Sequence, residues 1–212
     1  MLQFDARNAC TVVAGMSGSG KSTLALRYLA ALYARKLTSG LFIFDPEGEF
    51  ATRLKLTPSD TAEDLACAVD VEGVALFDPH TMFPGNLAEA FAWFCQWSFD
   101  TASRLPGRKL LMLDEAWKYC DRLSIPHALA LCVQTGRKRG LEMLFATQLP
   151  HKLNGAVLNE LTELVCFSLG EVKALECVSE RGAPRAEVER LPLGSFYALN
   201  KHTRGVLRGR VF

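Results

Sequence analysis

Residues 15–22 read Gly15-Met16-Ser17-Gly18-Ser19-Gly20-Lys21-Ser22. They fit G-x-x-x-x-G-K-[ST], a loop that binds phosphate between a strand and a helix. Glycines at 15, 18 and 20 let the backbone take positive φ and approach a ligand with no Cβ in the way. Successive N–H groups can then line one concavity and hold an anion. Lys21 brings a mobile cation to the β- and γ-phosphates. The Ser22 hydroxyl suits Mg²⁺, which keeps several waters beside substrate phosphates. Met16, Ser17, Ser19 and Thr23 complete the candidate contacts. The competing reading is a Gly/Ser-rich loop that matches by chance. The flanks favour the phosphate loop, because β-prone Cys10–Val13 precedes it and helically spaced Leu24–Lys36 follows. A helix starting near Lys21 aims its positive dipole end at the bound anion.

Two acids form the second chemical element. The apolar run Leu110-Leu111-Met112-Leu113 ends in Asp114-Glu115. In phosphate-loop enzymes the first such acid holds Mg²⁺ through water. A second acid beside it can orient the attacking water and take its proton. The alternative is a strand running into a helix whose first turn favours acids. The loop at 15–22 tips the balance to chemistry.

Other polar residues fall at strand ends, where ligands of open α/β sheets gather. Gln148 follows the strand Leu141–Thr147 and can hydrogen-bond a water or a γ-phosphate oxygen; its alternative is an exposed loop amide. Asp45 and Glu49 follow the strand Leu41–Phe44 as auxiliary acids, or else as a turn with a helix-capping carboxylate. Arg137-Lys138-Arg139 groups three cations just before Leu141, and its alternative is a solvated turn.

The remaining elements must position these groups. Helices are expected at about 21–36, with Leu24, Leu29, Leu32 and Leu37 inward, at 60–70, capped by Asp60 or Thr61, and at 86–99. The last is apolar nearly all round, with Phe91, Phe94, Trp93 and Trp97; it reads as core, or as a subunit contact. Further helices are expected at 126–135, 153–164 and 171–181. The stretch Gly73–Pro79 echoes Gly40–Pro46, so both read as parallel strands buried on two faces. Val165–Leu169 reads as a short strand, and Ser195–Asn200 with Gly205–Phe212 as a closing hairpin. The fold class is therefore α/β with a mostly parallel central sheet flanked by helices.

Bulk properties narrow the partners. A chain of 212 residues, near half apolar, can bury one sizeable core and reads as one domain over 1–212. Net charge is +1, so no global field calls for nucleic acid. Residues 181–212 carry seven Arg and Lys against two Glu, an edge that faces phosphate or simply solvent. Seven cysteines without a C-x-x-C pair read as small buried residues of a reducing compartment. Asp5 and Arg7 interrupt any signal peptide, and no apolar run approaches a membrane span.

The order of these motifs resembles the FtsK–HerA superfamily of DNA-pumping ATPases. Gly15–Ser22 is similar to its Walker A motif and Leu110–Glu115 to its Walker B motif. Asp45-Pro46-Glu47-Gly48-Glu49-Phe50 is similar to the D-x-x-G-E-[YF] segment of the HerA branch. Arg137–Leu141 resembles its R-x-x-G-hydrophobic segment, and Ala146-Thr147-Gln148-Leu149-Pro150 its A-T-Q-x-P sensor. Family members often carry Arg where Leu149 stands. With neither the barrel of HerA nor the membrane segments of FtsK, the chain most resembles the genome-packaging ATPases of membrane-containing double-jelly-roll viruses.

The resemblance implies a RecA-like (ASCE) P-loop NTPase fold, with the sensor strand between the Walker A and Walker B strands and a C-terminal β-hairpin. It implies ATP and Mg²⁺ as cofactors. It also implies a homo-oligomeric ring, commonly a hexamer, acting on double-stranded DNA, with capsid-vertex or membrane proteins as further partners and a cytoplasmic or virion-associated location. Glu115, Lys21 and Gln148 take catalytic roles, and Ser22 and Asp114 the metal. Arg137, with Arg139 second, becomes the arginine finger, in its own chain or a neighbour. The DNA-facing candidates are Lys152 and the basic tail at Arg204, Arg208 and Arg210. The rival functions are a conjugation or secretion ATPase of the HerA/VirB4 kind, a nucleotide-dependent assembly factor that moves nothing, and a small-molecule kinase.

Overall fold

The computed structural model describes residues 10–120 and 122–212; Asp5 and Arg7 lie outside them. Eight strands form a single sheet in the order β3-β2-β4-β5-β1-β6-β7-β8. They are β1 (Cys10–Ala14), β2 (Gly40–Phe44), β3 (Val74–Phe77), β4 (Lys109–Asp114), β5 (Leu141–Thr147), β6 (Glu163–Cys166), β7 (Ser195–Asn200) and β8 (Val206–Arg210). The first six run parallel, and β7 and β8 close the edge as an antiparallel hairpin. The central strands are apolar along their length because both faces are covered, so side chains on either side of the pleat must leave water. β5 lies between β1 and β4, as the resemblance implies.

The helices are α1 (Lys21–Ala34), α2 (Glu49–Leu54), α3 (Ala62–Glu72), α4 (Leu87–Arg104), α5 (His127–Thr135), α6 (Gly155–Asn159), α7 (Val172–Ser179) and α8 (Arg185–Glu189). α1 buries Leu24, Leu29 and Leu32 against the sheet. Leu37, expected inward, is half exposed, because α1 stops at Ala34 and the chain turns at Lys36 with positive φ. Thr61 caps α3 by accepting from the Asp64 N–H.

α4 runs on to Arg104 and is core, not an open contact face. Phe91, Phe94, Cys95 and Ser98 are fully buried, and Trp93 and Trp97 pack against them. Its rings stack on those of the sheet: Phe77 lies 5.2 Å from Phe94, and Phe44 contacts Phe77, Phe91, Phe94 and Tyr119 at 5.4–6.2 Å. Offset and edge-on ring pairs add to the area they bury. This aromatic block fixes β2 and β3 beneath the turn that carries Asp45.

The helix expected at 153–164 is a single short turn, α6, and residues 163–164 belong to β6. The apolar residues Leu161, Leu164 and Val165 suit either period, and pairing with β1 decides for the strand. α2 and α8 are too short for periodicity to reveal. Six cysteines are buried as small apolar residues, whereas Cys67 is exposed. Among the described residues no helix is long and apolar enough to cross a membrane.

Phe44 is fully buried and touches four rings. Phe44→Ala is expected to cost about 3–5 kcal/mol, read from urea unfolding midpoints at unchanged slope.

Candidate active site

The phosphate loop runs from the end of β1 into α1. Gly20 (φ 116°) and Gly18 (φ 70°) take the left-handed conformations for which glycine is needed. Gly15 is required for space: a Cβ there would lie 2.6 Å from Ser19 Oγ and 2.7 Å from Phe167 Cβ. The loop is pinned from below, since the Gly15 N–H donates to the Thr147 carbonyl at 3.2 Å and the Met16 N–H to that of Ser168 at 3.0 Å. Its crest, Met16-Ser17-Gly18, faces solvent. No side chain caps α1, so its first N–H groups stay available to an anion. Ser19 Oγ is buried with no hydrogen-bond partner among the described residues, a donor that a phosphate oxygen would satisfy. The Thr23 hydroxyl accepts from Arg53 Nη2 at 3.1 Å.

Lys21 is buried and its Nζ donates to the Met16 carbonyl at 3.2 Å. Burial lowers its pKa, while Glu115, Asp114 and Glu49 oppose the shift. The lysine therefore shares one electrostatic neighbourhood with both acids of the second motif. Register explains why. Asp114 pairs with Ala146 across β4 and β5, and Thr147 pairs with Ala14 across β5 and β1.

Asp114 is raised to about 7, first by burial and then by Glu115; Lys21 works in the opposite direction. A half-buried acid crowded by other carboxylates favours an added cation. Oxygen donors from Ser22 and Asp114 suit hard Mg²⁺. Among the described residues no three His, Cys, Asp or Glu side chains form a metal cage. An ion at this place would accordingly depend on nucleotide phosphates and water, which is the usual habit of Mg²⁺.

Glu115 takes the left-handed conformation (φ 44°), uncommon for a residue with a side chain. Several donors hold it there. The Gln148 N–H donates to both carboxylate oxygens at 3.2 and 3.1 Å. Trp117 Nε1 donates to Oε2 at 2.6 Å, and Thr147 Oγ1 lies 3.4 Å from the same oxygen. Gln148 thus meets Glu115 through its backbone, and its side chain is exposed.

The remaining candidates divide. Asp45 is buried, and its Oδ2 accepts from the Ala51 N–H at 2.8 Å, so it serves as the capping acid of α2. Glu49 pairs with Arg53 at 2.8 Å and, with Asp45, Asp114 and Glu115, lines a small cleft. Arg137 and Arg139 lie in a 3-10 turn at the amino end of β5, whereas the phosphate loop is at its carboxyl end. Seven strand residues put them about 20 Å from their own chain's loop, beyond the reach of their side chains. Arg139 is further engaged by the Phe99 ring, 4.4 Å from its guanidinium. Gly140 of the same motif is structural, since a Cβ there would lie 2.4 Å from the Gly107 carbonyl. In the basic tail, Arg208 is tied to Glu187 and Tyr197. The broad groove between α1 and the β7–β8 hairpin does not include the phosphate loop.

Sequence reasoning missed Trp117 and Arg53. Trp117 stands two residues past the Walker B resemblance and is legible there; Arg53 is legible only once α2 packs beside α1.

The sheet order and the flanking helices define a RecA-like P-loop NTPase fold. Residues 9–83 match the family described as Helicase HerA, central domain. The genome packaging NTPase B204 from Sulfolobus turreted icosahedral virus 2 superposes with a TM-score of 0.77 at 19% identity, over 97% of each chain. The bacterial conjugative coupling protein TrwB gives 0.70 at 14% identity, over 98% of this chain and 85% of that one. VirB4 of Thermoanaerobacter pseudethanolicus gives 0.71 at 14%, over 95% and 88%. No curated protein matches. The HerA likeness read from the motifs thus recurs in the family model over residues 9–83, and the solved structures share the fold.

Because the folded state raises Asp114 from its ordinary 3.8 to about 7, the folded protein binds the proton more tightly. Its contribution favours folding below about pH 4 and is lost as pH rises through about 7. Asp114→Asn should therefore raise the melting temperature of nucleotide-free protein at about pH 8 and leave it nearly unchanged at about pH 4.

Proposed function

We propose that the chain is a single ATPase domain that hydrolyses ATP to translocate double-stranded DNA, and that its task is packaging a viral genome into a capsid. One observation carries the chemistry: Lys21, Asp114 and Glu115 act on one another electrostatically while the Gln148 N–H holds Glu115. In this reading residues 15–23 bind the triphosphate, with Thr23 contributing through its backbone. Lys21 offsets charge that develops on the γ-phosphoryl group. Ser22 and Asp114 hold Mg²⁺, which supplies charge neutralisation at the phosphates. Glu115 accepts the proton of the attacking water. Gln148 reports loss of the γ-phosphate through its backbone link to Glu115. Arg137 enters a neighbour's site within a ring, the arrangement its distance from its own loop favours. Packaging is supported by likeness along nearly the full length of a genome packaging NTPase. The likeness to TrwB and VirB4 supports a second reading, a conjugation or secretion ATPase.

Glu115→Gln should bind ATP with unchanged affinity and lose about a hundredfold or more in turnover, measured by phosphate release. Full turnover in that variant removes Glu115 from the role. Duplex DNA should stimulate the wild-type rate where single strands do not, and the reverse favours the conjugation reading. Arg137→Ala mixed into wild-type protein should depress activity beyond its mole fraction. Strictly proportional loss argues against a shared site.

A further inference from the structure

We infer that Trp117 is a positioning residue for Glu115, held in register by Lys152. The inference rests on Glu115 being the base proposed above. Trp117 belongs to the 3-10 turn after β4, and its Nε1 donates to Glu115 Oε2 at 2.6 Å. A donor to an ionised carboxylate at this length makes a strong, directional bond. Lys152, in the 3-10 turn after Gln148, places its Nζ 4.7 Å from the centre of the Trp117 ring. A cation over the face of an indole is attracted by its π electrons. The half-buried ring is thereby fixed from both sides.

The carboxylate is loaded unevenly. Oε2 receives the indole N–H, the Gln148 N–H and the more distant Thr147 hydroxyl, whereas Oε1 receives the Gln148 N–H alone. Each carboxylate oxygen offers about two lone pairs. Oε2 is thus the anchored oxygen, and Oε1 keeps a lone pair to accept the proton of water. Without the indole donor the side chain can turn about its own axis, and that lone pair loses its direction. Glu115 also has a strained backbone conformation, so it depends on such bonds to stay in place. Lys152 and Gln148 flank the same short segment after β5. The segment that reads nucleotide state and the base therefore move as one unit through the indole.

The test uses the whole protein with ¹⁵N-labelled indoles. Its three tryptophan N–H signals are assigned with Trp93→Phe, Trp97→Phe and Trp117→Phe. The Trp117 signal should shift on Glu115→Gln and, to a smaller extent, on Lys152→Met. Trp117→Phe keeps a ring beneath Lys152 and removes only the donor. It should lower kcat for ATP about tenfold to a hundredfold with KM unchanged. If Trp117→Phe fails to fold, the two remaining tryptophan variants still assign the signal, and its response to Glu115→Gln decides. A Trp117 signal indifferent to Glu115→Gln, or wild-type kcat in folded Trp117→Phe, overturns the inference. Failure of the underlying reading looks different: Glu115→Gln itself would hydrolyse ATP at the wild-type rate, whatever the indole signal does.

Discussion

Everything at the site depends on the hydrogen-bonded register of three parallel strands. β5 pairs with β4 on one side and β1 on the other, and so sets Asp114 against Ala146 and Ala14 against Thr147. Parallel strands deliver their carboxyl ends to one edge of the sheet, where backbone groups run out of ladder partners and loops must begin. The phosphate loop, the acid pair and the sensor segment all begin there. A slip of one residue in β5 would turn its side chains to the opposite face and separate Thr147 from Glu115. The Gly15 N–H bond to the Thr147 carbonyl and the Glu115 N–H bond to the Ala146 carbonyl continue the ladder past the strands into the site itself.

Packing beneath that edge is close enough to restrict sequence. Phe167 lies against Gly15 and Gly20 together, so any side chain at either glycine would displace it. On the opposite face the rings of Phe44, Phe77, Phe91, Phe94 and Tyr119 interlock, and Tyr119 lies just past the turn that carries Glu115 and Trp117. Rigid apolar layers therefore support a site whose own groups carry uncompensated charge. Lys21 is desolvated, and Asp114 is pushed up to about 7. These strains are what a triphosphate and a divalent cation would relieve, since they bring the missing charges of both signs.

Much of the fold was legible in residue order. Short buried apolar runs leading into Asp45, Asp78 and Asp114 marked the parallel sheet, and Thr61 marked the start of α3 at its capping position. The errors share a cause. Leu37 and residues 153–164 have apolar residues at helical spacing, but such spacing does not say where a helix stops or whether a neighbouring strand recruits the segment. The pairing of β6 with β1 settles the second case, and the turn at Lys36 the first.

At the site, the sequence alone pointed to the candidate residues. The glycine spacing and the cation at Lys21 suit a phosphate, the two acids after an apolar strand suit a metal and a water, and all are local. Tertiary structure decided the partners. Asp45 became a cap and Thr23 turned to Arg53, Arg137 fell at the far end of its strand, and Trp117 came to hold Glu115 under Lys152. Each of these outcomes joins residues from separate elements. Their geometry comes from strand order and helix packing, which no single stretch of residues encodes.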